Sequence, residues 1–417
     1  MTPYAGRLTT YVAAALLAGT LLGRVEVALL GVAAAAVYAW KLTGPAPYAT
    51  VTLAVSDEQV HEGDEVRVTI RVEPRPGTDS ATVTLWNDAA LVPLGGARSM
   101  TLGLAGGPRE VVRVFRATRW GVYGAGPAHV AVYGRGRLAA GEVVVPAQVL
   151  RVLPRREEFE ASGAHPHTRA LAGTHAARVA GEGIEPSGVR EYRPGDALRR
   201  VNWRVTARRG ALHVTEQVPE RNAEVVLFLD TYVDRGPAGA TTLDVAVRAA
   251  AAIAEHYLAA MDRVGAVGFG GVLRWLYADA GRVQEHRVIE HLIGTATVRT
   301  YADKDVAFLP ARSLPPRALV IALSPLLDHR AVEALAALAQ RGYGLVVVDT
   351  SPRPLLPEAT TWSRDLAQRL WLVERDALVH RLGELGVPVV PWAGPGTLDV
   401  VLGEVARLHA RPRVAAR

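Results

Sequence analysis

Cysteine is absent from the 417-residue chain, and lysine occurs only as Lys41 and Lys304. The lack of cysteine excludes disulfide bonds, thiolate metal sites and cysteine nucleophiles, and it gives no support for an oxidising compartment. Because lysine is so rare, arginine carries almost all of the positive charge behind the formal net charge of +6. Guanidinium groups are planar and permanently charged, which suits them to carboxylate or phosphate partners. The composition therefore points to acidic partners without identifying them.

Charge is scarce near the amino terminus, where the apolar run is interrupted only by Arg24 and Glu26 near its centre. One membrane span would bury this pair, whereas two helices over residues 8–23 and 27–42 would leave it hydrated in a turn. Aromatic and basic residues lie at the outer ends of both helices. This pattern predicts a transmembrane helical hairpin over residues 1–43, located in the cell membrane as a two-pass anchor, with the soluble domains in the cytoplasm. A cleaved signal peptide and a buried core hairpin are the alternatives.

Alternation of apolar and polar residues marks the next part of the chain. Between residues 48 and 153, segments such as ATVTLAV and EVVRVFRA change character at every second position, with glycine, proline and aspartate between them. This period predicts an antiparallel, immunoglobulin-like β-sandwich. No catalytic spacing occurs in it, so a structural or adhesive role is expected.

Residues 154–222 are predicted to form a linker followed by a basic motif. The linker histidines are His165, His167 and His175. No carboxylate or thiolate completes a set at the spacing of a zinc site, so solvated histidines are the better interpretation.

After residue 223 the pattern alternates between apolar strands and amphipathic helices. EVVLFLD, RALVIALSP and GLVVVDTS have the character of buried strands, while HRAVEALAALAQRG has the character of a helix. Such alternation predicts an α/β domain over residues 223–417, with a doubly wound, mostly parallel sheet covered on both faces. Ligands on such sheets bind at the carboxyl ends of the strands, so Asp230 and its neighbours become the region of interest.

The most basic stretch is GVREYRPGDALRRVNWRVTARRG, residues 188–210, which contains seven arginines and two carboxylates. Pro194 and Gly195 predict a turn, because proline fixes the first central φ and glycine accepts a positive one. Asp196 is then placed to cap a helix, which Gly210 would end. The motif therefore predicts a short basic helix after a tight turn.

The expected helix has an apolar face and a basic face. The residues expected to pack inward are Leu198, Val201 and Val205. The residues expected to form a basic stripe are Arg200, Arg204 and Arg208. Like charges four residues apart repel by about 0.2–0.5 kcal/mol per pair, so the stripe needs an acidic neighbour. That neighbour is either the fold itself, through Glu216, Glu220 and Glu224, or a binding partner.

Residues 181–230 closely resemble the signature of the domain-of-unknown-function 58 family. The matching residues are Arg190, Glu191, Tyr192, Pro194, Gly195, Asp196, Arg199, Trp203, Ala207 and Arg208. Asn202 stands where aspartate is commoner in the family. The resemblance implies two membrane helices, a β-domain, this motif and a von Willebrand factor A-like domain. It also implies a membrane-tethered partner of MoxR-type AAA+ ATPases, and it supplies no reaction.

Many von Willebrand factor A-like domains bind Mg²⁺ through Asp-x-Ser-x-Ser after the first strand, together with a threonine and a second aspartate from later loops. Here Asp230 is present, but Tyr232 and Asp234 replace the serines, and Pro325 stands where the second aspartate is expected. Mg²⁺ requires several oxygen ligands at about 2.1 Å, which tyrosine and proline do not supply there. We therefore expect no cofactor and a degenerate site, with Asp230, Asp234 and Asp328 as weak candidates.

The favoured interpretation is a membrane-anchored, non-enzymatic adaptor or scaffold that works with a MoxR-type AAA+ ATPase in the assembly or maturation of envelope proteins or complexes. The candidate partner-binding residues are Arg193, Asp196, Arg200, Trp203, Arg204 and Arg208. Of the signature residues, Arg190, Arg199 and Trp203 are expected to contribute mainly to the fold. The alternatives are a polyanion-binding or nucleic-acid-binding protein that uses the arginine-rich helix, and a metal-dependent adhesion protein. Nucleic acid is not the expected partner, because Trp203 is the only aromatic residue of the helix.

Overall fold

The chain forms two compact units, residues 1–155 and 156–417. A computed structural model describes residues 3–42, 45–155, 185–193, 196, 198, 201–218, 224–298, 300, 304–316, 318–351, 361–394 and 396–410. The linker histidines at positions 165, 167 and 175 lie outside the described residues. The finer predicted division, with boundaries near residues 43, 153 and 222, stays a prediction.

Two helices open the first unit, α1 (Pro3–Leu21) and α2 (Val25–Leu42). They pack through small residues: a Cβ atom placed on Gly19 would lie 2.6 Å from the backbone nitrogen of Ala28, closer than real Cβ contacts allow. A Cβ atom on Gly31 would lie 3.0 Å from the Leu16 side chain. Glycine at these two positions lets the two helices, which the sequence predicts as a transmembrane hairpin, approach closely.

The membrane-spanning part of that prediction has no such support. Among the helices of the described residues, none is both long enough and apolar enough to cross a membrane. Polar residues interrupt α1, where Arg7 lies in the first half and Thr9 and Thr10 donate to the carbonyl groups of Ala5 and Gly6. The two helices still expose many large apolar side chains, namely Tyr4, Tyr11, Leu17, Leu21, Leu22, Val25, Leu29, Leu30, Val32, Val37 and Trp40.

The rest of the first unit is a two-sheet β-structure. Its strands are β1 (Ala49–Val55), β2 (Gln59–His61), β3 (Glu65–Pro74), β4 (Ser80–Asn87), β5 (Leu91–Pro93), β6 (Ser99–Gly103), β7 (Arg109–Ala117), β8 (Gly121–Tyr133), β9 (Ala140–Val145) and β10 (Gln148–Leu153). One sheet has the order β1-β3-β7-β5, and the other has the order β2-β10-β8-β4-β6 with β9 paired to β8. Every pair is antiparallel except β2 with β10, which is parallel.

The two sheets share one apolar core, as the alternating sequence pattern predicts. Along β3 every second residue is buried, including Val66, Val68 and Ile70, and these pack with Val130 and Val132 of β8. Side chains of successive strand residues point to opposite faces, so this alternation gives one buried face and one solvent face. The predicted strands and their alternating burial are thus present, with one parallel pair among the antiparallel ones.

The second unit begins with a small ribbon and continues into an α/β structure. The ribbon consists of β11 (Glu185–Glu191), the short helix α3 (Trp203–Arg209) and β12 (His213–Val218). The later strands are β13 (Glu224–Asp230), β14 (Arg263–Phe269), β15 (Arg274–Asp279), β16 (Leu319–Ser324), β17 (Gly344–Asp349) and β18 (Val389–Pro391). The later helices are α4 (Thr242–Ala259), α5 (Arg282–Ile293), α6 (His329–Gln340), α7 (Trp362–Glu384) and α8 (Thr397–Ala410).

The six later strands form one sheet in the order β15-β14-β13-β16-β17-β18. All neighbours are parallel except β14 and β15, which are antiparallel. All six residues of β16 are buried, and Val226 and Phe228 of β13 pack in a cluster with Leu335 and Leu338 of α6. The alternate residues of β13 are also buried, on the face where α4 packs. The predicted mixed α/β character of this part of the chain is confirmed.

Candidate functional site

The strand order reverses between β13 and β16, so the carboxyl ends of these two strands form the place where such sheets usually bind ligands. Asp230 ends β13 and Ser324 ends β16. The Ser324 hydroxyl donates to Oδ2 of Asp230 at 2.7 Å, and the backbone N–H of Tyr232 donates to Oδ1 at 3.0 Å. The N–H of Leu326 donates in turn to the Ser324 hydroxyl at 2.9 Å. The buried carboxyl group of Asp230 therefore links the end of β13 to the end of β16.

Burial dominates the chemistry of Asp230. It raises the pKa of this carboxyl group to about 6, against the opposing effect of the hydrogen bonds from Ser324 and Tyr232. The negative charge of Asp328 raises the pKa of Asp230 further, and the positive charge of Arg330 lowers it. A pKa shifted by desolvation is common at functional sites, although structural networks produce it too.

Arg330 provides a positive charge next to this carboxyl group. Its Nη2 and Nε donate to the two carboxylate oxygens of Asp328 at 2.7 and 2.9 Å, and its Nη1 donates to the carbonyl oxygen of Thr300. The guanidinium also lies over the ring of Tyr232, 4.2 Å from its centroid. These hydrogen bonds, which outweigh the partial burial, lower the pKa of Asp328. Arg330 is thus a fixed positive charge at the strand ends, and its Nε, Nη1 and Nη2 groups already donate hydrogen bonds within the protein.

A second buried ion pair lies beside β17. Nη2 of Arg375 donates to Oδ2 of Asp349 at 2.6 Å and to the hydroxyl of Ser351 at 2.8 Å, and Nη1 donates to the carbonyl of Pro325 at 2.8 Å. Arg375 comes from α7, so this one side chain joins that helix to the ends of β16 and β17. We call Asp230, Ser324, Asp328, Arg330, Asp349 and Arg375 the strand-end cluster.

The structure shows what the residues of the predicted degenerate metal site contact. Oδ1 of Asp234 accepts from the N–H of Leu243 and from the hydroxyl of Thr242, at the start of α4. Within the described ranges, no group of three or more histidine, aspartate or glutamate side chains could hold a metal ion. Pro325 contributes only its carbonyl, which accepts from Arg375 and Ser351.

The basic motif is anchored by a different ion pair. Nη1 and Nη2 of Arg190, on β11, donate to the two oxygens of Asp196 at 2.7 Å each, and the N–H of Arg193 donates to the same carboxylate at 2.7 Å. The hydrogen bond from Arg190 is the main reason why the pKa of Asp196 falls to about 2. Arg190 was expected to support the fold, and this prediction is confirmed. Asp196, a candidate for partner binding, is instead bound within the motif.

The helix of the motif is shorter than predicted. Asn202, and not Asp196, is its N-cap: the Asn202 side chain accepts from the N–H of Val205. Val201 lies outside the helix in an isolated β-bridge with Val214. Asp196 lies before this helix, and its carboxylate accepts from Arg190 and from the N–H of Arg193. Gly210 ends the helix at a φ of 74°, as predicted.

The faces of this helix also differ from the prediction. None of the residues of α3 is buried, and Trp203 is 67% exposed, so its expected role in packing is wrong. Leu198, expected to point inward, is exposed as well. Of the other residues expected to point inward, Val201 is buried and Val205 is half-buried. Arg204 and Arg208 are exposed, as predicted.

The positive charges of α3 lack an acidic neighbour in the described part of the chain. Among the side chains that the structure describes, no carboxylate lies within ion-pair distance of Arg204 or Arg208, and Glu224, one expected neutralising residue, pairs with Arg263 instead. Glu220 and the side chain of Glu216, the other two expected residues, lie outside the described part. Arg193 is exposed too. Arg199 and Arg200 lie outside the described residues. We call Trp203, Arg204 and Arg208 the exposed basic patch.

Sequence reasoning located Asp230 and Asp328 but missed the other residues of the strand-end cluster. Ser324 and Asp349 could have been found, since each is the last residue of an apolar run that forms a parallel strand. Arg375 lies in a helical pattern with several other arginines and Arg330 at the start of another helical pattern, and no spacing marks either one as inward-facing.

Comparison with known proteins adds a match to a family model but no activity. Residues 188–359 match the family model described as "Protein of unknown function DUF58". The uncharacterized protein Rv1480 of Mycobacterium tuberculosis and the uncharacterized protein Mb1516 of Mycobacterium bovis are each 36% identical to this chain over 122 residues, which is 28% of this chain. The matched region spans 38% of the length of these curated relatives.

Solved structures resemble only a part of the chain. The cupredoxin domain of amoB from Nitrosocaldus yellowstonii has 15% identity and a TM-score of 0.19, and it covers 28% of this chain and 95% of that one. The non-cellulosomal cohesin from Archaeoglobus fulgidus has 12% identity and a TM-score of 0.20, and it covers 28% of this chain and 99% of that one. Similarity at this level supports no functional conclusion. What the comparisons do establish is that the segment with both the exposed basic patch and the ends of β13, β16 and β17 matches the DUF58 family.

Proposed function

We propose that the protein is a non-enzymatic adaptor that binds the acidic surface of a partner protein through the exposed basic patch. The observation that carries this proposal is the exposure of Trp203, at 67%, beside Arg204 and Arg208 on a helix that buries none of its residues. Tryptophan and arginine are the residues most enriched among those that dominate binding energies at protein interfaces. An exposed tryptophan next to two cations therefore has the composition of a binding hot spot.

The setting of the patch supports this role, because α3 is held at both ends. Asn202 caps its first turn, and Gly210 closes its last turn through an N–H bond to the carbonyl of Thr206. The bidentate contact between Arg190 and Asp196 fixes the segment that precedes it. A surface that is ordered before binding loses less conformational entropy on association.

The strand-end cluster supports a structural role more than a catalytic one. Both of its arginines are paired with aspartates, Arg330 with Asp328 and Arg375 with Asp349, and these side chains are mostly buried. The hydroxyl of Ser324 is buried and donates to Asp230, so it is not presented to a substrate in solvent. These contacts hold the strand ends and α7 in place.

The partner we propose is a MoxR-type AAA+ ATPase, in the assembly or maturation of other envelope proteins or complexes. This choice rests on the resemblance of residues 181–230 to the family signature and on the chemistry of the patch. The positive charge of Arg204 and Arg208 suits carboxylates on the partner, and complementary charge mainly increases the rate of association and its specificity.

A pull-down tests the proposal. The full chain is immobilised, and a MoxR-type ATPase from the same genome is applied at low and at high salt. The Arg204→Gln, Arg208→Gln double variant should retain the wild-type melting temperature and lose binding, with the larger difference at low salt, where screening is weakest. Arg282→Gln with Arg287→Gln, on α5, is the matched control, since it removes two positive charges from another helix.

The same assay separates protein partners from polyanions. If the patch serves a nucleic acid, a DNA oligonucleotide should bind the wild type with strong salt dependence and displace the ATPase, and the double variant should lose both ligands. Undiminished ATPase binding by a folded double variant would contradict the adaptor proposal.

We also propose that the adaptor is attached to the cell membrane through α1 and α2, with its other parts in the cytoplasm. The exposed apolar side chains of this hairpin support the attachment, because a water-exposed surface of this size is unfavourable. Carbonate extraction of cell membranes tests it: the wild type should remain with the membrane fraction, and a Leu29→Asn, Leu30→Asn variant should be released to a greater extent. Equal release of the two proteins would count against this attachment.

A further inference from the structure

Helix α7 has two apolar sides, and only one of them is packed. Leu382 lies in the core cluster of the second unit, and Leu378 and Val379 pack against that cluster. Arg375, on the same side, reaches Asp349 at the end of β17. This side accounts for the attachment of α7 to the sheet.

The opposite side carries an exposed apolar stripe. Its residues are Trp362, Leu366, Leu370, Val373 and Ala377, all of which are exposed. Trp362 is 80% exposed and Val373 is 65% exposed. Spacings of four, four, three and four residues place the five side chains on one face of a helix, about half a turn from the packed side. We call these five residues the α7 stripe.

Size distinguishes the stripe from scattered apolar surface residues. From its first to its last residue it runs about 22 Å along the helix at 1.5 Å per residue. Single apolar residues on a surface need no explanation, whereas a continuous stripe with a tryptophan at one end marks an interaction site.

Charge along the edge of the stripe indicates the occupant. Arg369 and Asp376 are seven residues apart, two turns of helix, so both flank the stripe on the same edge. Both are exposed; Arg369 contacts only Asp365 in its own helix, and Asp376 has no ion-pair partner among the residues described in this unit. If two copies of this helix lie side by side in opposite directions, the cation of each copy faces the anion of the other.

We propose that the α7 stripe binds a second copy of this chain, with the two α7 helices antiparallel around a two-fold axis near residue 372. Arg369 of each copy then meets Asp376 of the other copy. An axis between residues 371 and 372 sets Leu366 against Ala377 and Leu370 against Val373, so these apolar residues meet each other. In this register Arg369 and the partner's Asp376 are offset by two residues, about 3 Å along the helix, which their side chains can span. A two-fold interface uses the same patch on both subunits, which this pattern satisfies.

This surface is separate from the exposed basic patch. The stripe lies on α7 and the patch on α3, so one chain can bind its own copy and a different partner through different residues. Pairing two copies would present two basic patches to the partner, which raises avidity if both can engage at once.

Disulfide trapping tests the proposal directly, because the chain contains no cysteine of its own. The full chain with Val373→Cys, near the expected axis, is treated with diamide, which accepts the two electrons released as two thiols form one disulfide. Val283→Cys on α5 is the matched control, since Val283 is also an exposed helical valine, at 68%. The expected result is a covalent dimer that forms at least tenfold faster for the Val373→Cys protein than for the control.

Charge reversal identifies the register and the partner. In the Val373→Cys background, Arg369→Glu alone or Asp376→Arg alone should slow trapping several-fold, and the two reversals together should restore it. Restoration is specific to a second copy, because a different partner would have no matching reversal.

Three results would overturn the proposal. The first is trapping at 373 no faster than at 283, as expected if another part of the chain or another protein covers the stripe. The second is trapping that both single reversals leave unchanged. The third is a double reversal that remains as slow as the single ones in a chain with the wild-type melting temperature.

Discussion

Replacement of Asp230 by asparagine should change how the stability of the second unit depends on pH. Burial raises the pKa of this carboxyl group from 3.8 to about 6 in the folded chain. Between these two values the folded chain holds a proton that the unfolded chain has released. The free energy of unfolding therefore falls as pH rises through this range, by about 3 kcal/mol in total, since one pKa unit corresponds to about 1.4 kcal/mol.

About 2 kcal/mol of this fall lies between pH 4.5 and pH 7.5. Asparagine has the same shape and no charge at either pH. Its carbonyl can accept from the N–H of Tyr232 as Oδ1 of Asp230 does, and its amide can donate to the hydroxyl of Ser324. We expect the Asp230→Asn variant to lose the fall and to be more stable than the wild type at pH 7.5. Asp196 and Asp328, whose pKa values are lowered, affect stability only at lower pH, where it is lost as they become protonated.

Urea unfolding at both pH values, followed by pulse-labelling hydrogen exchange of peptides from β13 and β16, measures this effect in the second unit alone. A chain with two compact units need not unfold in one step, so a signal from the whole protein would mix them. Asp279→Asn is the control, because it removes an exposed carboxylate from β15. Equal pH dependence in the wild type and in Asp230→Asn would refute the argument that burial makes the charged form of Asp230 costly.

The remaining predictions use the same preparations. Arg375→Gln should destabilise the second unit by about 3–5 kcal/mol in the urea experiment, because it leaves the buried carboxylate of Asp349 without its cation; a loss below 1 kcal/mol would contradict this. Gly19→Val should cost about 1–3 kcal/mol and reduce the protection of α2 amides, because the new side chain meets the backbone of the other helix, whereas Gly6→Val meets nothing within 4 Å. Millimolar Mg²⁺ should leave the melting temperature unchanged, because the degenerate site is expected not to bind it. If Mg²⁺ did bind, a hundredfold excess over Kd would stabilise the folded chain by about 2.7 kcal/mol; a saturable rise in melting temperature that Asp230→Ala abolishes would revive the metal-dependent interpretation.

The architecture followed from the sequence where the pattern was long and regular. Two apolar helices separated by Arg24 and Glu26, the period-two strands of residues 48–153 and the alternating strands and helices after residue 223 all predicted the observed elements. In each case the burial of one face or of two faces repeats over many residues, so local propensity and tertiary packing agree.

The basic motif was harder to predict because its local chemistry had two solutions. Asp196 could either cap a helix or bind an arginine, and the bidentate contact with Arg190, six residues earlier, prevailed. The α-helix begins after Asn202, and of the three residues expected to face inward Val201 is buried, Val205 is half-buried and Leu198 is exposed. A short helix beside a two-stranded ribbon has little core to bury, so the helical period carried little information there.

The strand-end cluster was only partly predictable. Asp230 was found because it follows a buried strand. Its partner Ser324 lies 94 residues further along the chain, and the pairing of the two depends on the register of β13 and β16. The second ion pair depends on which side of α7 faces the sheet, and α7 is apolar on two sides.

The measurement that tests the central claim most directly is the affinity of the full chain for the MoxR-type ATPase before and after Trp203→Ala, by isothermal titration calorimetry. Trp203 is exposed on α3 and packs into no core, so its removal should leave the melting temperature unchanged. As the anchor of the binding surface it should contribute at least about 2 kcal/mol, which raises Kd roughly thirtyfold. An unchanged Kd for a folded Trp203→Ala variant, or the absence of binding by the wild type, would contradict the claim that the exposed basic patch is the partner-binding surface.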